Sequence, residues 1–309
     1  MVEAHEREGK QRMEKQRIFI DDILSNENMN RAYKQVIKNK GAAGIDGMEC
    51  NDLLSHLKVN GHQLRESIRN QSYKPMPVKR VEIPKDNGSK RKLGIPTVTD
   101  RMIQQAAAQV LTPIYERKFH TNSYGFRPGK SAQQAVLKAA EYMNEGYNWV
   151  VDIDLEKFFD TVEHDKMISI LNKEIKDGKT LSLIRKFLAS GVMVGEQMEE
   201  TEIGTPQGGN ISPLLANILL NELDWELESR GLRFVRYADD CIILVRSEKA
   251  ATRVMKSVTK YIENVLRLKV NKDKSRIGRP TEIQYLGFAF YYQFQEKKYR
   301  MKVPKKSLD

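Results

Sequence analysis

Leu232-Arg233-Phe234-Val235-Arg236-Tyr237-Ala238-Asp239-Asp240-Cys241-Ile242-Ile243-Leu244-Val245 is the stretch that decides the fold. Two apolar runs, Leu232 to Val235 and Cys241 to Val245, flank a very short polar link, the pattern of a β-hairpin with two adjacent acids at its tip. Neighbouring carboxylates repel, so a divalent cation is their natural partner and a third acid is expected elsewhere in the chain. Trp149-Val150-Val151-Asp152-Ile153-Asp154-Leu155 supplies it. Strand alternation puts Val151, Ile153 and Leu155 on one face and Val150, Asp152 and Asp154 on the other. With that strand beside the hairpin, Asp154 and Asp239 would share hard cations. Taken alone, the acidic tip reads more readily as a solvated turn, so the remainder of the chain has to decide.

At 309 residues the chain is long enough for two or three compact units, and 40% apolar with 30% charged residues is a globular composition. No apolar run approaches the roughly 18 residues needed to span a bilayer, and Met1 to Lys10 lacks the apolar core of a signal peptide, so no membrane partner is expected. Cys50 and Cys241 stand far apart and in no metal-ligand spacing, which suits a reduced, cytoplasmic setting and argues against structural zinc. The net charge is +11, from 52 Lys and Arg against 41 Asp and Glu, and points to a polyanionic partner. Its distribution is clustered, at Lys74 to Lys92, at Lys269, Lys272, Lys274, Arg276 and Arg279, and again from Lys297 to Lys306. Such clusters grip phosphates without reading bases.

Residues 1–38 read as one or two amphipathic helices, and the glycine-marked loop Asn39 to Gly47 as a connection or RNA contact. Val78 to Ile83 and Arg91 to Ile95 are strands joined through Pro84-Lys85-Asp86-Asn87-Gly88. Lys85 and Arg91 flank this basic hairpin, which suits either a clamp on a nucleotide triphosphate or a solvated surface. Helices follow at about 51–70, 99–119 and from Ser131 to Asn144, the last capped by Ser131. In the loop before it, Tyr124, Phe126, Arg127 and Lys130 are candidates either for stacking on a template or for plain packing.

Phe159, past the acidic strand, is either a ring that excludes a 2′-hydroxyl from an incoming sugar or an ordinary core residue. Phe158 is the better candidate for burial, and Asp160 for the cap of the next helix. The Leu155 carbonyl is a further candidate ligand beside Asp154 and Asp239. Gly204-Thr205-Pro206-Gln207-Gly208-Gly209 presents Gln207 at a tight turn before a helix running to about Ser229. Lys274 suits either a leaving pyrophosphate or the plainer roles of a backbone contact or a solvated side chain. Ile283 to Phe290 reads as a strand broken at Gly287. Around the acids the elements run strand, helices, hairpin, helix, strand, an α+β order with an antiparallel sheet covered by helices. Two metal ions roughly 3.5–4 Å apart would serve phosphoryl transfer there without a protein nucleophile.

Gly44-Ile45-Asp46-Gly47, Ile83-Pro84-Lys85, Leu93-Gly94-Ile95-Pro96, Gly125-Phe126-Arg127-Pro128, Asp154 to Asp160, Thr205-Pro206-Gln207-Gly208-Gly209, Tyr237-Ala238-Asp239-Asp240 and Tyr285-Leu286-Gly287-Phe288 follow one another in a specific order and spacing. Through them the sequence resembles the reverse transcriptase region of bacterial group II intron-encoded proteins. The resemblance implies a right-hand polymerase fold, with an N-terminal helical extension (1–38), mainly fingers (39–148, helical with a β-hairpin) and mainly palm (149–309, with fingers insertions). It implies Asp154, Asp239 and Asp240 as catalytic acids holding two Mg²⁺ ions (Mn²⁺ as substitute) with the Leu155 carbonyl. It also implies Lys85 and Arg91 at the triphosphate, Phe159 as the sugar-selecting ring, Gln207 near the nucleotide and Lys274 near the pyrophosphate. In such hairpins the second acid, here Asp240, binds the metals less directly than the first. The implied partners are dNTPs, an RNA template with a DNA primer, and a group II intron RNA whose splicing the protein assists in a ribonucleoprotein.

Proteins of this kind normally continue into a helical thumb or maturase domain, whereas this chain stops at Asp309, just after the palm. The expectation is a truncated fragment with the thumb absent, polymerising weakly or not at all. Its uncovered apolar palm edge would favour a homodimer. Three alternatives remain: an RNA-dependent RNA polymerase, which the bulk of Phe159 disfavours; a reverse transcriptase of another bacterial retroelement, defence-associated forms included; and a splicing factor that holds intron RNA without polymerising.

Overall fold

The computed structural model describes residues 19–84, 88, 90–194, 197–199, 204 and 208–304. In chain order the elements are α1 (Phe19–Leu24), α2 (Asn26–Asn39), α3 (Leu53–Arg69), β1 (Val78–Pro84), β2 (Lys90–Ile95), α4 (Val98–Glu116), α5 (Ala132–Asn144), β3 (Trp149–Ile153), α6 (Phe158–Thr161), α7 (His164–Leu171), α8 (Gly178–Leu188), β4 (Val192–Val194), β5 (Gln197–Glu199), α9 (Ser212–Ser229), β6 (Arg233–Tyr237), β7 (Asp240–Val245), α10 (Glu248–Asn264), β8 (Arg276–Gly278), β9 (Gln284–Tyr285), β10 (Phe288–Gln293) and β11 (Lys298–Lys302). No helix among the described residues is long and apolar enough to cross a membrane.

Two units result, each from two stretches of chain: the described residues of Met1–Tyr115 with Val162–Ser212, and those of Glu116–Thr161 with Pro213–Asp309. The chain passes between the units after Tyr115, after Thr161 and after Ser212. Helix α5 buries Ala135, Val136, Ala139 and Met143 in one cluster with Val150, Val235 and Leu244, so it belongs with the strands that carry the acids.

In the first unit, α2 starts at a Ser25 cap whose hydroxyl accepts the Asn28 N–H, and it buries Met29, Ala32 and Val36 at helical spacing. Asn28 is buried with them because its Nδ2 donates to the Ile23 and Ala106 carbonyls at 3.0 and 2.9 Å. The sheet runs β2-β1-β4-β5; β1 and β2 pair antiparallel and β4 joins β1 in parallel. The glycine loop after α2 is fastened to the start of α4. Arg101 donates to the Ala42 carbonyl at 2.8 Å, and a Cβ on Gly44 would meet the Thr97 Cα at 2.7 Å. These contacts hold the loop in place against α4. His164 is structural, buried with its Nε2 against the Gly204 carbonyl.

In the second unit, the main sheet has the order β6-β7-β3-β8, every neighbour antiparallel, and a smaller sheet runs β11-β10-β9. One face of the main sheet carries Val150, Val235, Ile242 and Leu244, which are buried beneath α5 and the Tyr285 and Phe290 side chains. The free edge of β6 is covered by the segment around Ser123: Tyr124 N–H donates to Arg236 O at 2.8 Å and Arg236 N–H to Asn122 O at 2.9 Å. On the opposite face, Arg236 reaches α9, bonding Asp224 and Asn217. The helix expected to end near Ser229 does so, and it buries Leu215, Leu219, Leu223 and Leu227.

Two local expectations change. The stretch Ile283 to Phe290 is a hairpin, because Leu286 and Gly287 both take positive φ (51° and 79°) and fold β10 back on β9. Asp160 lies within α6, and Glu163 is the residue at the N-cap of α7.

Candidate active site

The β6–β7 ladder closes with Tyr237 opposite Asp240, leaving Ala238 and Asp239 as the turn. Ala238 has φ 55°, a left-handed conformation that costs any residue with a Cβ. The turn is held closely from one side: a Cβ built on Gly125 would lie 2.2 Å from Ala238 N. The β3–β7 ladder ends at Ile153 opposite Cys241, so the next pair in register is Asp154 and Asp240. Asp152, Asp154 and Asp240 thus occupy one face of the sheet, continuing the row begun by the buried Val150 and Leu244. The same face is apolar where helix and strands cover it and acidic where that cover ends.

A loop following α10 is bolted to the third acid. Asn271 N–H donates to the Asp154 carbonyl at 2.9 Å, and the Asp154 N–H donates to Ser275 Oγ at 3.1 Å. Asn271 Oδ1 accepts the Asp273 and Lys274 N–H groups at 3.2 and 3.3 Å, an Asx turn that aims Lys274 back at the sheet. Lys274 Nζ stands 3.8 Å from Asp154 Oδ2. Asp152, the competing acid, is engaged by Arg276 Nε at 3.4 Å. Leu155 is buried and bridges Val270 antiparallel, which fixes the backbone just past Asp154.

Electrostatics follow from this crowding. Asp240 keeps one edge open to solvent, yet the packed sheet strips much of its water, and Asp239, Asp154 and Asp152 repel its charge; its pKa is pushed up to about 6, with Lys274 opposing. Burial also raises Asp152, against the pull of Arg276. Among the described residues no three His, Cys, Asp or Glu side chains stand ready to cage an ion. The donor chemistry nevertheless fits Mg²⁺: carboxylates and a carbonyl are hard oxygens. This ion is ordinarily held by one or two carboxylates, with substrate phosphates and water completing the shell.

The other expected residues divide. Phe159 is half-buried, edge-to-face with the buried Phe158 at 5.1 Å between centroids. Arg91 lies in β2 opposite Ile83, in the other unit. Lys85 and Gln207 lie outside the described residues. Of the four template candidates, Arg127 is consumed internally by Glu116 at 3.0 Å and by the His120 and Ser123 carbonyls at 2.7 Å each. Tyr124 is buried with Lys130 over its ring, while Phe126 is exposed 6.5 Å from Tyr237.

Sequence reasoning missed Asn271, Ser275, Gly125 and Arg236. For Gly125 the signal was its place before Phe126-Arg127-Pro128; for Arg236 it was a cation at an inward strand position. Replacing Gly125 with alanine is expected to push the turn off its seat, costing about 1–3 kcal/mol in denaturant unfolding. An unchanged midpoint and activity would mean the turn is not seated on this glycine.

The sequence profile of the reverse transcriptase (RNA-dependent DNA polymerase) family matches residues 83–290. Protein YkfC of Escherichia coli (strain K12) is 32% identical over 308 residues, covering 87% of this chain and 80% of that protein. Group II intron-encoded protein LtrA of Lactococcus lactis subsp. cremoris is 32% identical over 324 residues, covering 83% of this chain. The chain therefore spans most of YkfC but only 54% of LtrA. A chain of the partial Cas6-RT-Cas1–Cas2 complex has a similar fold, with a TM-score of 0.51 and 26% identity over 81% of this chain and 43% of that one.

Proposed function

The chain belongs to the reverse transcriptase family, and from that premise we propose that it is an RNA-directed DNA polymerase of the group II intron type. It would extend a DNA primer on an RNA template with dNTPs, and bind the intron RNA whose splicing it assists. The observation that carries the proposal is the register that sets Asp154 opposite Asp240, one residue from Asp239 in the hairpin turn. The right-hand division into fingers and palm belongs to the same proposal.

Two Mg²⁺ ions, held by Asp154, Asp239 and Asp240 with the Leu155 carbonyl, would lower the pKa of the primer 3′-hydroxyl and neutralise the triphosphate. The chain's own contribution is preorganisation. Asn271 and Ser275 fix the peptide of Asp154, and the hairpin register fixes Asp240 across from it. Lys274 brings an exposed positive charge to the acids, suited to a departing pyrophosphate. Lys85, Arg91 and Gln207 are proposed as nucleotide contacts on the resemblance alone. The half-buried ring of Phe159 is proposed to exclude the 2′-hydroxyl; Phe159→Val should then weaken discrimination against ribonucleotides by roughly 10–200-fold. Single-nucleotide insertion kcat/KM for dNTP and rNTP measures it, and an unchanged ratio would return Phe159 to the core.

The primary test is primer extension on an RNA template with Mg²⁺ and dNTPs, for this chain and for Asp239→Asn, with RNA binding recorded for each. Extension lost on substitution with binding retained supports the proposal. Tight intron RNA binding without extension would leave a splicing factor. The likeness to a Cas6-RT-Cas1–Cas2 chain favours one second reading, a reverse transcriptase serving a different element. Competition between group II intron RNA and an unrelated structured RNA separates the two.

A further inference from the structure

Arg236 is the largest fully buried side chain among the described residues, with no solvent exposure, yet it lies on β6 only two residues from the turn that presents Asp239. All five of its N–H donors are used. Nε and Nη2 grip Asp224 at 2.7 and 2.6 Å, Nη2 also reaches Ser123 Oγ at 2.8 Å, and Nη1 donates to Asn217 Oδ1 at 3.0 Å and to the Ala238 carbonyl at 2.8 Å. Three pieces of chain meet on one guanidinium: helix α9, the segment at Ser123, and the turn itself.

A buried ion pair is weak evidence of stabilisation, since apolar residues of similar volume often do as well or better. What an apolar residue cannot do here is hold the Ala238 carbonyl. That peptide needs holding, because Ala238 sits at φ 55° without being glycine. Its other side is closed by Gly125, whose carbonyl accepts from Asn217 Nδ2 at 2.8 Å. Asn217 therefore ties the two supports together, bonding Arg236 through its oxygen and Gly125 through its nitrogen.

We propose that Arg236 is a positioning residue for the acidic turn: anchored by Asp224, it fixes the Ala238 carbonyl and thereby the direction in which Asp239 and Asp240 leave the hairpin. The proposal rests on the reading of those acids as catalytic. Arg236 touches no substrate; it acts through the turn.

Two variants of the full chain test it. Arg236→Lys keeps a charge beside Asp224 but cannot reach Asp224, Asn217, Ser123 and Ala238 at once. The double variant Arg236→Met with Asp224→Leu removes both buried charges together, so it retains a packed interior. For each, three quantities are measured: the thermal midpoint, Mn²⁺ affinity by electron paramagnetic resonance without nucleic acid, and the split between kcat and KM for dNTP. The expected result is a folded protein whose kcat falls about 100-fold, the size that roughly an ångström of misplacement costs. KM should stay within a few-fold and Mn²⁺ affinity should weaken about tenfold, which is about 1.4 kcal/mol.

A merely structural arginine predicts a lowered midpoint with Mn²⁺ affinity and kcat preserved, and that outcome overturns the proposal. So does failure of both variants to fold, which would assign Arg236 to the scaffold alone. The Asp239→Asn control separates the two layers. If it retains extension, the reading of the acids falls and this proposal with it; if it is inactive while Arg236→Lys matches wild type, only the proposal falls.

Discussion

Asp239→Asn is expected to reduce primer extension by at least about a thousandfold while leaving RNA binding within twofold of the parent chain. The size follows from what the carboxylate would do. A metal ion at a phosphoryl-transfer site supplies several kcal/mol of charge stabilisation, and each 1.36 kcal/mol is a factor of ten in rate. The amide is nearly isosteric, and Asp239 sits in a turn rather than in the core, so the fold has little reason to change. Asp154→Asn should behave alike, because it lies at the end of the ladder that pairs with the hairpin. Gel-resolved extension with filter-binding of RNA on the same preparations decides the matter. A variant that loses both together would have lost its fold, whereas one that keeps both would remove Asp239 from the chemistry.

The second large effect is on stability. Arg236→Met alone should cost about 3–5 kcal/mol, the usual consequence of leaving one member of a buried ion pair without its partner. Asp224 and Arg236 are both fully buried, and the substitution would also leave Asn217, Ser123 and the Ala238 carbonyl without a donor. Against a total stability of roughly 5–15 kcal/mol, that is enough to shift the urea midpoint severely. An exposed pair offers the contrast: breaking Arg300–Glu296, with both partners on the surface, should leave the urea midpoint almost where it was. Equal midpoints for the two variants would mean that water reaches the Asp224 pocket.

Much of the acid-bearing sheet was legible because its signals are local. The hairpin of β6 and β7 follows from two apolar runs about a short link, and the strand of Asp154 from simple alternation. The cap at Ser131 is equally local and forms as expected, its hydroxyl accepting the Gln134 N–H. What the sequence concealed depends on partners distant along the chain. Arg236 reads as one more basic residue until Asp224, Asn217 and Ser123 surround it, and Arg127 reads as a nucleic-acid contact until Glu116 is seen to hold it. The hairpin at Leu286-Gly287 was missed because a positive φ at leucine leaves no mark in composition. The partners of α5 leave no local mark either: the helix is amphipathic wherever it packs, and only the contacts of Val136 and Met143 reveal against which strands.

The interleaving of the two units also governs how this protein is born. β3 is the inner strand of the main sheet, flanked by β7 and β8, yet it leaves the ribosome first, and the whole stretch Val162–Ser212 is synthesised before either partner exists. At roughly 5–20 residues per second, that central strand spends several seconds with both edges bare. Its Val150, Val151 and Ile153 are fully interior in the finished sheet, so during synthesis they form a short apolar β-segment of the type that seeks other chains. The nascent protein should therefore lean on a chaperone between the emergence of β3 and that of β7. Slowing translation across residues 162–212 should raise the aggregated fraction, whereas slowing it after β8 should not.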